Sequence, residues 1–155
     1  MNDDYKTDQI KRLEEYLWKH IPISSAMGIS VQIANSEHVI LSAPFANNIN
    51  HKQTVFGGSL HAVATLACWS LLHLNLTELF KEPIQIVIAS SNVEYLAPVS
   101  LDFQAECCRP QQEAWEYFLK MLRKKRKARL DLKAQIVQDN RLCVDYSGAF
   151  VAITT

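Results

Sequence analysis

The residues best suited to chemistry gather between Asn47 and Thr65. Two adjacent glycines, Gly57 and Gly58, open a long apolar stretch, with Phe56 before them and Ser59 after. If that stretch is a helix, its first turn presents N–H groups that no helical carbonyl accepts, and these carry the positive end of the helix dipole. Glycine lets a ligand approach the main chain closely. Amides so placed can hold a polarised carbonyl or a developing oxyanion. The Gly58 N–H is therefore the candidate donor, with Phe56, Gly57 and Ser59 around a bound substrate; a tight turn into the helix would use the same two glycines. His61 and Thr65, four residues apart, lie one above the other on a helix face. An imidazole titrates near neutrality, so His61 is a candidate base acting on an oriented water. A buried histidine bonded to threonine or main chain has the same spacing. Thr65 cannot act as nucleophile or strong base without a neighbour. Glu94 is a further candidate base if it reaches a partner's channel, and otherwise a surface glutamate on a strand.

Two other features bear on function. The run Lys120 to Arg129 holds seven cationic residues in ten, Lys124, Lys125 and Arg126 among them. It could meet the phosphates of a nucleotide-bearing substrate or an acidic protein surface, or it could be a solvated helix end favoured by the dipole. An RNA-binding module built on this run would need a stacking platform, for which Trp115, Tyr117 and Phe118 are the only local aromatics. The four cysteines, Cys68, Cys107, Cys108 and Cys143, have no Cys-x-x-Cys spacing and no histidine pairing. They signal neither a metal site nor a redox dithiol, and suit a reduced, cytoplasmic protein. Cys68, with no basic neighbour, should stay protonated and inert.

The elements that must position these residues follow from periodicity. Residues 7–20 read as an amphipathic helix with Thr7 as N-cap and Ile10, Leu13 and Leu17 on one face. Ile29, Val31 and Ile33, then Val39, Leu41 and Ala43, alternate about an Asn35-Ser36 turn and form a hairpin. The Asn-rich stretch 44–56 is a loop. From Ser59 to about Leu79 a helix is apolar at nearly every angle and must be enclosed. Ile84 to Leu96 and Leu101 to Cys107 read as strands with one dry face, Gln111 to about Arg123 as a second amphipathic helix, and 130–136 and 142–153 as strands joined at Asp139-Asn140. Adjacent strands joined by such short turns cannot be parallel. The expectation is an α+β fold: one antiparallel sheet curled around the 59–79 helix, a free strand edge inviting a second copy.

Composition excludes other classes. At 155 residues the chain makes one domain, residues 1–155 with a helical extension over 1–20, burying roughly 68–70% of its unfolded surface. With 48% apolar residues and 16 basic against 16 acidic side chains, it is neither disordered nor a general polyanion binder. No secretory leader is expected from Met1-Asn2-Asp3-Asp4. Gln53 to Thr77 lacks Asp, Glu, Lys and Arg, long enough to span a bilayer, but its His61, Thr65, Ser70, His73 and Asn75 suit a helix enclosed by protein, so no membrane is expected.

The pattern Asn50, then Phe56-Gly57-Gly58, then an apolar helix, resembles the loop and central helix of hotdog-fold acyl-CoA thioesterases. Thr54-Val55-Phe56-Gly57-Gly58-Ser59-Leu60, Asn92-Val93-Glu94-Tyr95-Leu96-Ala97-Pro98-Val99 and Tyr146-Ser147-Gly148-Ala149-Phe150-Val151 resemble the YiiD C-terminal-domain type, over about residues 20–153. The resemblance implies a homodimer or dimer of dimers that hydrolyses an acyl-CoA or acyl carrier protein thioester. Gly58 would polarise the carbonyl, and Asn50 would position water or substrate. It implies no metal, no cofactor and no nucleic acid. Phe56 stands where the common pattern has histidine, and Thr65 where many relatives carry the catalytic Asp or Glu. That departure keeps open a non-catalytic acyl-thioester binder.

Overall fold

Two tight reversals frame the sheet. At Asp139 and Asn140 both residues adopt positive φ (53° and 60°), the left-handed pair that a two-residue hairpin of matching twist requires. At Arg126 (φ 60°) a helix ends and a strand begins at the next residue. The computed structural model describes residues 2–155. Their order is α1 (Asn2–His20), α2 (Pro22–Ala26), β1 (Ser30–Ala34), β2 (His38–Ala43), α3 (Phe45–Asn48), α4 (Gly57–Leu79), β3 (Ile84–Tyr95), β4 (Phe103–Cys108), α5 (Gln112–Lys125), β5 (Lys127–Gln138) and β6 (Arg141–Thr154). The six strands form one antiparallel sheet in the order β1-β2-β4-β5-β6-β3. It wraps α4, which touches β2, β3, β4, β5 and β6. This is the expected hotdog architecture.

Because the sheet encloses it, α4 needs no amphipathic stripe: Val63, Ala64, Ala67, Cys68, Leu71 and Leu72 are wholly buried. It is long and apolar enough to cross a bilayer by length and composition, yet most of it lies inside the protein. One stripe stays half-buried: His61, Thr65, Trp69 and His73. Gly28 (φ 71°) ends α2, where a Cβ would meet the Pro44 ring at 2.8 Å, so both its conformation and its space demand glycine.

Three expectations need correction, the first being the 44–56 loop, which holds the one-turn helix α3. Thr7 is not an N-cap: α1 starts earlier, and the Thr7 hydroxyl donates to the Asp3 carbonyl from within the helix. Nor does β3 have a dry face, for residues 87–92 are all exposed. It ends the sheet, paired among the described strands to β6 alone. The sheet is also nearly parted elsewhere. β4 and β5 pair only at Glu106 with Gln135 and Cys107 with Ala134. A groove of about 620 Å³, with Gln104 and Lys133 among its lining residues, opens beside that junction.

α1 docks on the second half of α4 through rings. Tyr16 lies 4.3 Å from His20 and 4.4 Å from His73 between centroids, and Trp69 stacks on His73 at 4.8 Å. Burial, then the neighbouring His20, pushes the His73 pKa below the ordinary imidazole value. The charged groups of the adjoining cleft are Asp8, Arg12 and Glu78. Between the folded and the ordinary value the unfolded chain binds more protons, so this contribution to stability is complete above about pH 6.5 and declines as pH falls through that window. Thermal melts should show the decline, and His73→Phe, which keeps the stack without the titration, should flatten it.

Candidate active site

The approach to α4 is held by its own loop. The Asn50 side-chain oxygen accepts from the Lys52 and Thr54 N–H groups at 2.8 and 3.2 Å, and its Nδ2 donates to the Thr54 hydroxyl. Asn50 therefore braces the 50–54 turn, where the resemblance implied a role with water or substrate. The loop is pinned by Val55 N–H to the Val99 carbonyl (2.8 Å) and Phe56 N–H to the Asn48 carbonyl (2.7 Å).

At the mouth, the Phe56 carbonyl accepts from Ser59 and Leu60, and no side chain caps the helix. Among the described residues, the Gly57 and Gly58 N–H groups have no partner. Gly58 is exposed, whereas Ser59 is buried and offers little to a substrate. The two glycines are not equivalent. A Cβ at Gly57 would make ordinary contact with the Tyr95 ring at 3.5 Å, but one at Gly58 would lie 2.3 Å from the Phe56 ring. Phe56 is 57% exposed, and its ring lies over the Gly58 backbone. Tyr95 donates its O–H to the Gly57 carbonyl at 3.0 Å, tying the mouth to β3.

One helical turn further on lies a set of polar groups that only the strand register assembles. His61 Nε2 is 2.9 Å from the Ser91 Oγ on β3. The Tyr146 ring of β6 lies against the imidazole, 5.6 Å between centroids at 47°. The Thr65 hydroxyl donates its single proton to the His61 carbonyl (2.9 Å), so at the second contact, also 2.9 Å, it accepts from the Tyr146 O–H. Burial pushes the Tyr146 phenol up to about 12, and it stays a neutral donor. Gly148, paired with Ser91, makes room: a Cβ there would lie 2.7 Å from the Tyr146 oxygen. Thr65 is thus occupied at both its donor and its acceptor side. Thr65→Ala should strand the buried Tyr146 O–H and cost about 1–3 kcal/mol. The double variant Thr65→Ala/Tyr146→Phe, which removes both partners, should recover much of that loss in denaturant titrations.

The other candidates lie elsewhere. Ser91 and Tyr95 reach α4, so alternation turns Glu94 to the opposite face of β3, in register with Asp145. Glu94 therefore does not join His61 within this chain. Lys124, Lys125 and Arg126 stand where α5 turns into β5, and Arg126 shares a surface cleft with Leu79 and Phe80 at the far end of α4. A helix of 23 residues is about 33 Å long, so the basic run is not at the mouth of its own chain. Trp115 and Phe118 are buried and only Tyr117 is exposed, which removes the stacking platform an RNA-binding surface needs. Cys68 is buried, and desolvation with the Cys107 contact raises its pKa well above the usual thiol value, as expected of an inert core thiol.

The family described as "Putative thioesterase (yiiD_Cterm)" matches residues 10–154. Among solved structures, a protein of unknown function from Chlorobaculum tepidum has a TM-score of 0.90 at 32% identity, covering 97% of this chain and 98% of that one. A protein described as "the putative thioesterase from Shewanella oneidensis" has a TM-score of 0.84 at 29% identity over 95% of this chain and 99% of its own. A thioesterase from Haemophilus influenzae, at 14% identity and a TM-score of 0.65 over 94% and 90%, shares the fold.

Proposed function

This chain belongs to the YiiD_C family, described as "Putative thioesterase (yiiD_Cterm)", and on that premise we propose that it hydrolyses acyl-CoA or acyl carrier protein thioesters at the mouth of α4. The observation that carries the reading is the exposed, unpartnered Gly58 N–H three residues before His61, which puts a carbonyl-polarising donor and a proton acceptor on one helix face. The thioester carbonyl accepts from Gly58, an attacking hydroxyl gives its proton to His61 as it bonds the carbonyl carbon, and the C–S bond breaks as His61 passes that proton to the departing sulfur. Phe56 swings aside to admit the substrate. Four free thiols suit a reducing, cytoplasmic setting.

The open edge of β3 supports a homodimer. It is twelve residues long, unpaired on one side, and exposes Val87 and Ile88 at 47% and 42%. A long apolar edge of this kind is covered most simply by the same strand of a second copy about a two-fold axis. Ser91 lies on that strand, so the dimer would enclose the site.

The test is release of free thiol from a panel of acyl-CoAs of increasing chain length, with acyl carrier protein thioesters alongside. Turnover of at least one class is expected. A second reading, an acyl-thioester binder without turnover, draws on Thr65 at the position where many relatives carry a carboxylate; binding measured calorimetrically with no thiol released would favour it.

A further inference from the structure

The imidazole at the mouth has its Nε2 committed to a hydroxyl. From this geometry we infer that Ser91 is the nucleophile of the reaction and His61 its base, a dyad that acts through an acyl-serine intermediate. The inference rests on the thioesterase reading above. With the ring proton on Nδ1, the Ser91 O–H donates to His61 Nε2 across 2.9 Å, so the proton this imidazole can remove is that of Ser91. Thr65 is excluded from the role, since its hydroxyl donates within α4 and accepts from Tyr146. Within the chain there is room beside Ser91: its residue is exposed, and its cross-strand partner is Gly148, which has no side chain. The Tyr146 ring packs obliquely against the imidazole, 5.6 Å between centroids at 47°, and limits its rotation.

The steps balance. Ser91 Oγ bonds to the thioester carbonyl carbon as its proton passes to His61, and the oxyanion is held by the Gly58 N–H. The C–S bond then breaks, and the imidazolium returns the proton to the departing sulfur. Water next attacks the acyl-serine ester and gives a proton to His61, which delivers it to Ser91 Oγ as the acid leaves. One water is consumed, and a carboxylic acid and a thiol are produced.

The experiment has two arms on the full chain. A fluorophosphonate, which reacts with activated serines, should label Ser91, mapped by peptide mass spectrometry, and label it at least about tenfold more slowly in His61→Ala. Ser91→Ala, with an unchanged melting profile, should lose about 10²–10⁴-fold in turnover. Turnover at the wild-type rate in Ser91→Ala would overturn the inference while leaving the thioesterase reading intact. So would loss of turnover without labelling, since Ser91 would then only relay a proton to water. A wild-type protein that hydrolyses no thioester would sink the reading of the activity, and the labelling arm would still report on the dyad.

Discussion

His61→Ala should lower thioester hydrolysis by about 10²–10⁴-fold, the usual worth of a positioned general base. Its contacts confine the loss to chemistry. The side chain is half-buried, bonds only Ser91 and lies against Tyr146, so its removal leaves the core around Leu71 and Leu72 untouched. The Gly58 amide also remains, and substrate should still bind, which places the deficit in kcat rather than KM. Steady-state kinetics beside a melting curve separate the two. A variant within about twofold of wild type in kcat would remove His61 from the mechanism and leave the helix-mouth amide as the only chemical element of the site.

The second large effect concerns assembly. The pair Val87→Lys and Ile88→Lys should convert a dimer to a monomer. Within a paired β3 edge each lysine would be an uncompensated charge, at about 3–5 kcal/mol, or a weakening of at least about 10²-fold in Kd. In the isolated chain the same positions are exposed and tolerate lysine, so the fold should survive. Light scattering after size exclusion reads the mass. Since β3 also carries Ser91 and Tyr95, turnover should fall with the dimer. A wild-type protein that is monomeric at tens of micromolar would refute the edge pairing.

Local rules made much of the fold legible. The Asp139-Asn140 reversal, the hairpin of β1 and β2 and the enclosed helix depend on near neighbours in sequence, and each stands where expected. Exposure of β3 depends on what lies beside it, and alternation cannot report a missing neighbour. Thr7 failed as a cap because α1 continues back through Asp3 and Asp4, whose charges suit a helix start. For the site, the helix mouth was legible and its companions were not. Ser91 sits in an unremarkable run of polar strand residues, and its link to His61 exists only because β3 aligns with β6 at Gly148 and lies along α4. Tyr146 was visible as part of a family motif, but its bond to Thr65 across 81 positions was not. For Asn50 the motif marked the position, and its bracing of the 50–54 turn is visible only in the hydrogen bonds.

The near-parting of β4 from β5 has a dynamic consequence. With two residue pairs joining them, alternate backbone amides from Lys127 to Lys133 have no acceptor on the β4 side, while the opposite margin of β5 is zipped to β6 along twelve pairs. Deuterium should therefore enter that seam early and the β5–β6 ladder late, and exchange resolved by peptide would read the difference.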